Sequence, residues 1–202
     1  MFEPNVKQQL QQWNLYKAYG EFNIRFEGVI ASYRNLLIVL IKKYYRFDVD
    51  WEEEDSEVVL PEHLKDRLIK ILLHDNGAMA IIEKCRSCFL DITSEEVASV
   101  LAGNNIEPLK LNEFDIKFAD IFFKKGIELV QLRNILIHTH YEGGFFDWDP
   151  ITKLDGVKDK KLAKGFKMQK YSFDIPFIET MKQQLDVIYF YLNQLKIQLS
   201  VS

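Results

Sequence analysis

Arg133, Asn134 and His138 fall together in the stretch Leu132-Arg133-Asn134-Ile135-Leu136-Ile137-His138-Thr139-His140-Tyr141. Each type brings a distinct chemistry. An imidazole titrates near neutral pH and can move protons in either direction. A guanidinium is a planar, permanently charged fork that matches phosphate oxygens and stabilises negative charge as it builds up. A carboxamide can orient the imidazole or bond the same anion. The flanking residues are mostly aliphatic, and polar groups on a greasy helix are costly unless satisfied, so such exceptions are often functional. The plainer alternative is a polar cluster closing a helix carboxyl end, where cations meet a favourable dipole.

The spacing predicts one long helix from about Leu111 to His138. On it Asn134 and His138 are i and i+4 and share a face, while Arg133 points about 100° away from Asn134. One apolar stripe is Phe114, Phe118, Ile121, Phe122, Leu129, Leu132 and Leu136. A second is Ile116, Phe123, Ile127, Val130 and Ile137. A surface helix of a monomer needs one apolar face, so two imply a central helix or a face that meets a partner, and the second stripe suggests a self-complementary surface of the kind a two-fold dimer uses.

Prolines at 4, 61, 108, 150 and 176 mark natural boundaries. Apolar spacing predicts a helix from about Val6 to Tyr19, a second from Glu21 to Tyr45 and one from Pro61 to about His74. Further helices are expected from Ala78 to Leu90 and from a capped start at Thr93-Ser94-Glu95-Glu96. Asp48 to Ser56 reads as a solvated acidic loop. From Gly143 to Asp174 the texture turns to Gly, Asp, Lys and scattered aromatics, expected as a loop or a β-hairpin. Pro176 opens the last helix. The expected fold is a single all-α domain over 1–202. It is an antiparallel helical bundle of four to five main helices with a loop or β-hairpin insertion before the last one.

The chain has 202 residues, 48% hydrophobic, and a formal charge of −4. That supports a dry core and excludes a uniformly basic nucleic-acid coat, though not a local basic patch. The amino terminus MFEPNVKQQL lacks a signal-peptide pattern, and no aliphatic run approaches a membrane span. With two cysteines there is no disulfide framework. A soluble, cytoplasmic protein is expected, with no membrane partner.

Arg133-Asn134-x3-His138 resembles the Arg-x4-6-His signature, often Arg-Asn-x3-His, of HEPN domains. Those are helical bundles of prokaryotic toxins, abortive-infection proteins and CRISPR-associated ribonucleases. The helix order is similar, with the signature on a late helix before a final one. The resemblance implies a metal-independent endoribonuclease that needs no cofactor and cleaves single-stranded RNA at a composite homodimer site. His138 would act as acid and base, Arg133 would stabilise the transition state and Asn134 would position them. It also implies an acidic residue on an early helix, for which Glu27 is best placed, although a solvated surface glutamate is the plainer reading. Some members carry a tyrosine two residues past the histidine, where a partner nucleotidyltransferase modifies it. Here His140 takes that place and Tyr141 follows, a departure from that pattern. A cognate antitoxin is the other partner the resemblance implies.

His140 is read either as a second catalytic or RNA-contacting group or as an exposed residue after the helix. His138-x-His140 lacks a third ligand, so no metal site is expected. Cys85 and Cys88 lie in a helical pattern and read as half-buried packing residues. His63 and His74 receive no role. Lys158, Lys160, Lys161, Lys164, Lys167 and Lys170, interleaved with Phe166 and Tyr171, make either a solvated loop or a strip that attracts an RNA backbone while aromatics stack bases. Of these, Lys161, Lys164, Lys167 and Lys170 are the candidate RNA contacts. The alternative function is a HEPN-like module that binds nucleotide, RNA or protein without turnover.

Overall fold

The computed structural model describes residues 6–44, 77–103, 111–138, 140–141, 153–162 and 165–201. Among them run five helices, α1 (Val6–Tyr44), α2 (Ala78–Ile92), α3 (Glu95–Gly103), α4 (Glu113–His138) and α5 (Ile175–Val201). Between α4 and α5 lie three strands, β1 (His140–Tyr141), β2 (Lys153–Leu162) and β3 (Gly165–Asp174). The chain is an all-α bundle with a small β-insertion before its last helix. The helix expected from Pro61 to His74 and the acidic loop at 48–56 lie outside the described residues, as do His63 and His74.

Local chemistry sets the helix starts. Ser94 Oγ, Asn112 Oδ1 and Asp174 Oδ1 accept the backbone N–H of Val97, Asp115 and Phe177 respectively, each three residues on. Each satisfies one of the donors that a helix start leaves without an intrahelical partner. Glu113 and Asp115 add negative charge to the first turn of α4, where the dipole favours it. Two helices were expected before Tyr45, yet α1 runs unbroken through Gly20. A single interior glycine costs a helix only about 1 kcal/mol. Burial of Leu15, Ala18, Phe22 and Phe26 on both sides of Gly20 outweighs that.

The loop-or-hairpin alternative resolves to sheet. β2 and β3 pair antiparallel from Lys153↔Asp174 to Leu162↔Gly165. β1 adds to β2 through His140↔Val157 and Tyr141↔Gly156.

The chain divides into two compact units. The first comprises Met1–Val29 and Glu128–Val187. Its core holds Phe22, Phe26 and Val29 of α1, Leu129, Val130 and Leu136 of α4, and Ile178, Met181 and Leu185 of α5, with Leu154 and Phe173 from the sheet. Lys182 is buried and donates to Glu21 (2.5 Å) and Glu179 (2.7 Å). Arg25 pairs with Asp186. Steps of four along α1 (21 to 25) and α5 (182 to 186) match, so these helices run the same way.

The second unit comprises Ile30–Ile127 and Ile188–Ser202. Phe123 is fully buried between Tyr33 (ring centroids 5.8 Å) and Phe89 (5.6 Å). Tyr33 Oη donates to the Phe122 carbonyl at 2.9 Å, and Arg86 pairs with Asp120.

The two stripes of α4 are not divided as expected. The second is the core stripe, with Phe123 and Val130 buried. What stays outside is the amino-terminal part of the first, where Phe114 is 73% exposed, Phe118 42% and Ile121 59%. These side chains form a ladder: Phe114 stacks on Phe118, Phe118 meets Phe122 edge-on, and Phe122 stacks on Tyr191 at 4.0 Å. No helix among the described residues is long and apolar enough to cross a membrane.

Candidate active site

Buried Leu129, Val130 and Leu136 bracket Arg133 on α4. At about 100° per residue, Arg133 falls near the middle of that buried arc. The helix therefore turns the guanidinium inward, leaving the side chain 29% exposed. Its Cζ lies 5.3 Å from the centroid of the Phe26 ring. A cation in that position is attracted by the ring quadrupole, typically by about 0.5–2 kcal/mol. Phe26 is itself only 2% exposed, so the shelf is rigid.

The polar edge of Arg133 is only partly engaged. Nη2 donates to Glu27 Oε1 at 3.4 Å, with the glutamate side chain 65% exposed. A strong arginine–carboxylate pair is bidentate, with two N–O distances of about 2.7–2.9 Å. An exposed, single, long contact typically contributes about 0–1 kcal/mol. Nε, which shares an edge of the guanidinium with Nη2, is buried and has no hydrogen-bond partner among the described residues. A buried donor left so typically costs about 1–3 kcal/mol. Asn23 Oδ1 is in the same state. It lies one turn before Glu27 on α1, and its Nδ2 donates to the Tyr19 carbonyl.

His138 ends α4 and is exposed. It stands about 140° round the helix from Arg133 and about 7.5 Å along the axis. Asn134, half-buried, is only about 40° from His138. The structure thus joins Arg133 to Glu27 and puts Asn134 with His138, while Arg133 and His138 of one chain diverge.

β1 begins just past His138, and register places its neighbours. His140, Val157 and Lys170 form one row across the three strands, and Tyr141, Gly156 and Tyr171 the next. At about 4.8 Å per strand, Lys170 is about 10 Å from His140 in backbone terms, and it is exposed. Lys161 and Lys167 sit towards the other end of the hairpin, where Lys161 pairs with Phe166 and Lys167 with Lys160. That is about 13 Å along β2 from Val157 for Lys161. Lys164 lies outside the described residues.

Elsewhere, burial pushes the Cys85 thiol pKa well up, with the neighbouring Cys88 adding to the rise. That keeps Cys85 protonated and unreactive. Among the described residues no three His, Cys, Asp or Glu side chains gather as a metal site. A hollow of about 310 Å³ between α1 and the start of α5 is lined, among the described residues, by Glu21 and Glu179 and not by Glu27, Arg133, Asn134 or His138. Burial alone would lower the Lys182 pKa, but hydrogen bonds to Glu179 and Glu21 outweigh it and raise it, so those carboxylates already serve an internal cation.

Sequence reasoning passed over Phe26 as the support of Arg133. Phe26 reads there as one more residue in an apolar stripe, and the contact joins positions more than a hundred residues apart, which no local spacing signals. Compared with known proteins, the chain matches no family model, no curated protein and no solved structure.

Proposed function

We propose that this chain is a metal-independent endoribonuclease of the HEPN type, acting in the cytoplasm on single-stranded RNA as a homodimer, in the role of a toxin or phage-defence effector. The observation that carries the reading is an arginine fixed on an aromatic shelf with one guanidinium edge half-filled, five residues before an exposed histidine on the same helix. His138 takes the proton from the ribose 2′-hydroxyl, whose oxygen attacks the adjacent phosphorus. Arg133 neutralises the charge gathering on the phosphoryl oxygens. The P–O5′ bond breaks, and the leaving oxygen receives a proton from the imidazolium of a histidine. The products are a 2′,3′-cyclic phosphate and a 5′-hydroxyl.

The divergence of Arg133 and His138 within one chain supports a site assembled from two copies. The exposed ladder Phe114-Phe118 offers an apolar surface for a second copy, since monomers rarely leave such rows in water. The same divergence also favours the second reading, a HEPN-like module that holds a nucleotide or RNA phosphate on Arg133 without turnover.

The test is cleavage of a labelled single-stranded RNA in excess EDTA. The wild type should cut and leave cyclic phosphate ends, and His138→Ala and Arg133→Ala should each lower the rate about 100- to 1000-fold. Binding without cutting selects the second reading. Cutting that survives His138→Ala removes the mechanism.

A further inference from the structure

We propose that Glu27 is an internal competitor for the anion fork of Arg133, a carboxylate that half-fills the Nε–Nη2 edge at rest and gives way when a phosphate arrives. The inference rests on the reading of Arg133 as the phosphate contact and adds to it how access to that contact is set. Three observations support it. The fork is held from behind, because Phe26 lies 5.3 Å below the guanidinium carbon and is buried. The fork is incompletely used, because Glu27 reaches Nη2 alone, at 3.4 Å, while Nε–H on the same edge finds no acceptor among the described residues. The occupant is loosely held, because the Glu27 side chain is 65% exposed and, among the described residues, hydrogen-bonds only to Arg133.

A tetrahedral phosphate presents two oxygens to such an edge and can accept from Nε and Nη2 together, which the carboxylate in its observed position does not do. Exchange therefore relieves the orphaned donor and releases Glu27 to water. While Glu27 remains nearby, its charge repels the incoming anion. Affinity for phosphate is thus held below what Arg133 and Phe26 alone would supply, and a weakly bound or passing anion is rejected.

The experiment follows the Arg133 Nε–Hε resonance of the full chain by NMR, assigned through its loss in Arg133→Lys, during titration with inorganic phosphate. Phosphate should shift that resonance in the wild type. Glu27→Gln should bind phosphate about three- to tenfold more tightly, and Glu83→Gln, at an exposed position of α2, should leave the affinity unchanged. Equal or weaker binding by Glu27→Gln overturns the proposal, as does a wild-type resonance that phosphate does not move. Cleavage of RNA is scored separately. If RNA is cut through His138 but Glu27→Gln gains no affinity, the competitor idea fails and the nuclease reading stands. If Glu27→Gln gains affinity and no RNA is cut, the reverse holds.

Discussion

Gly126 of α4 lies directly against the hydroxyl of Tyr33: a Cβ at residue 126 would stand 2.5 Å from Oη and 3.0 Å from Cζ. The ring cannot retreat, because Tyr33 is fully buried against Phe123 and its hydroxyl is bonded to the Phe122 carbonyl. Burial also raises the Tyr33 pKa, so the hydroxyl remains a donor at any ordinary pH. Gly126→Ala should therefore destabilise the protein by about 1–2 kcal/mol, overpacking outweighing the helical preference for alanine. In a Tyr33→Phe background, which itself loses about 1 kcal/mol, the added cost of Gly126→Ala should shrink. Urea unfolding of the four variants measures that coupling, and strict additivity would contradict the contact.

The acid side of the stability curve should carry the mark of Asp120. The hydrogen bond from Arg86, followed by one from Lys124, holds its carboxyl below the usual carboxylate range against the opposing effect of burial. A depressed pKa adds stability that is fully present above the unfolded-state value and is lost as pH falls through the folded one. Asp120→Asn should accordingly lower Tm at pH 7, and the gap from wild type should close below about pH 4. A gap that widens in acid would invert the sign and exclude the pair as its source.

The fold was legible in the sequence wherever one residue type decides a local structure. Ser94 caps α3 and Pro176 stands in the first turn of α5, as their types suggest. Gly20 misled, because its small penalty is overruled by apolar residues that pack on both sides of it. The stripes of α4 misled for another reason. Periodicity groups residues by angle, and only tertiary packing decides which angle is covered, so Phe123 went inside while Phe114 and Phe118 stayed out. Arg133 lies between the two stripes. Its inward turn onto Phe26 follows from the buried arc of Leu129, Val130 and Leu136, and no local pattern announces it. Glu27 was visible through resemblance, and its meeting with Arg133 came from the structure.

The ladder on α4 gives a test of assembly. Phe114→Glu places charge on a side chain that is 73% exposed and should cost the monomer no more than about 1 kcal/mol. Adding Phe118→Glu also gives up that ring's contacts with Phe122 and Tyr191, so the double variant is checked for folding by circular dichroism. If that row is where two copies meet, light scattering should show a dimer for the wild type and a monomer for the double variant, with cleavage lost alongside. A dimer that survives the double change would locate the contact elsewhere.

Mixing two inactive variants bears most directly on the claim that Arg133 and His138 act across a subunit boundary. Arg133→Ala and His138→Ala chains, combined and allowed to exchange, should recover about a quarter of wild-type RNA cleavage. Half the dimers would then be mixed, and each would keep one intact site of two. Recovery near that level is the expected result; a mixture as inactive as its components, under conditions where exchange of subunits is verified, would contradict it.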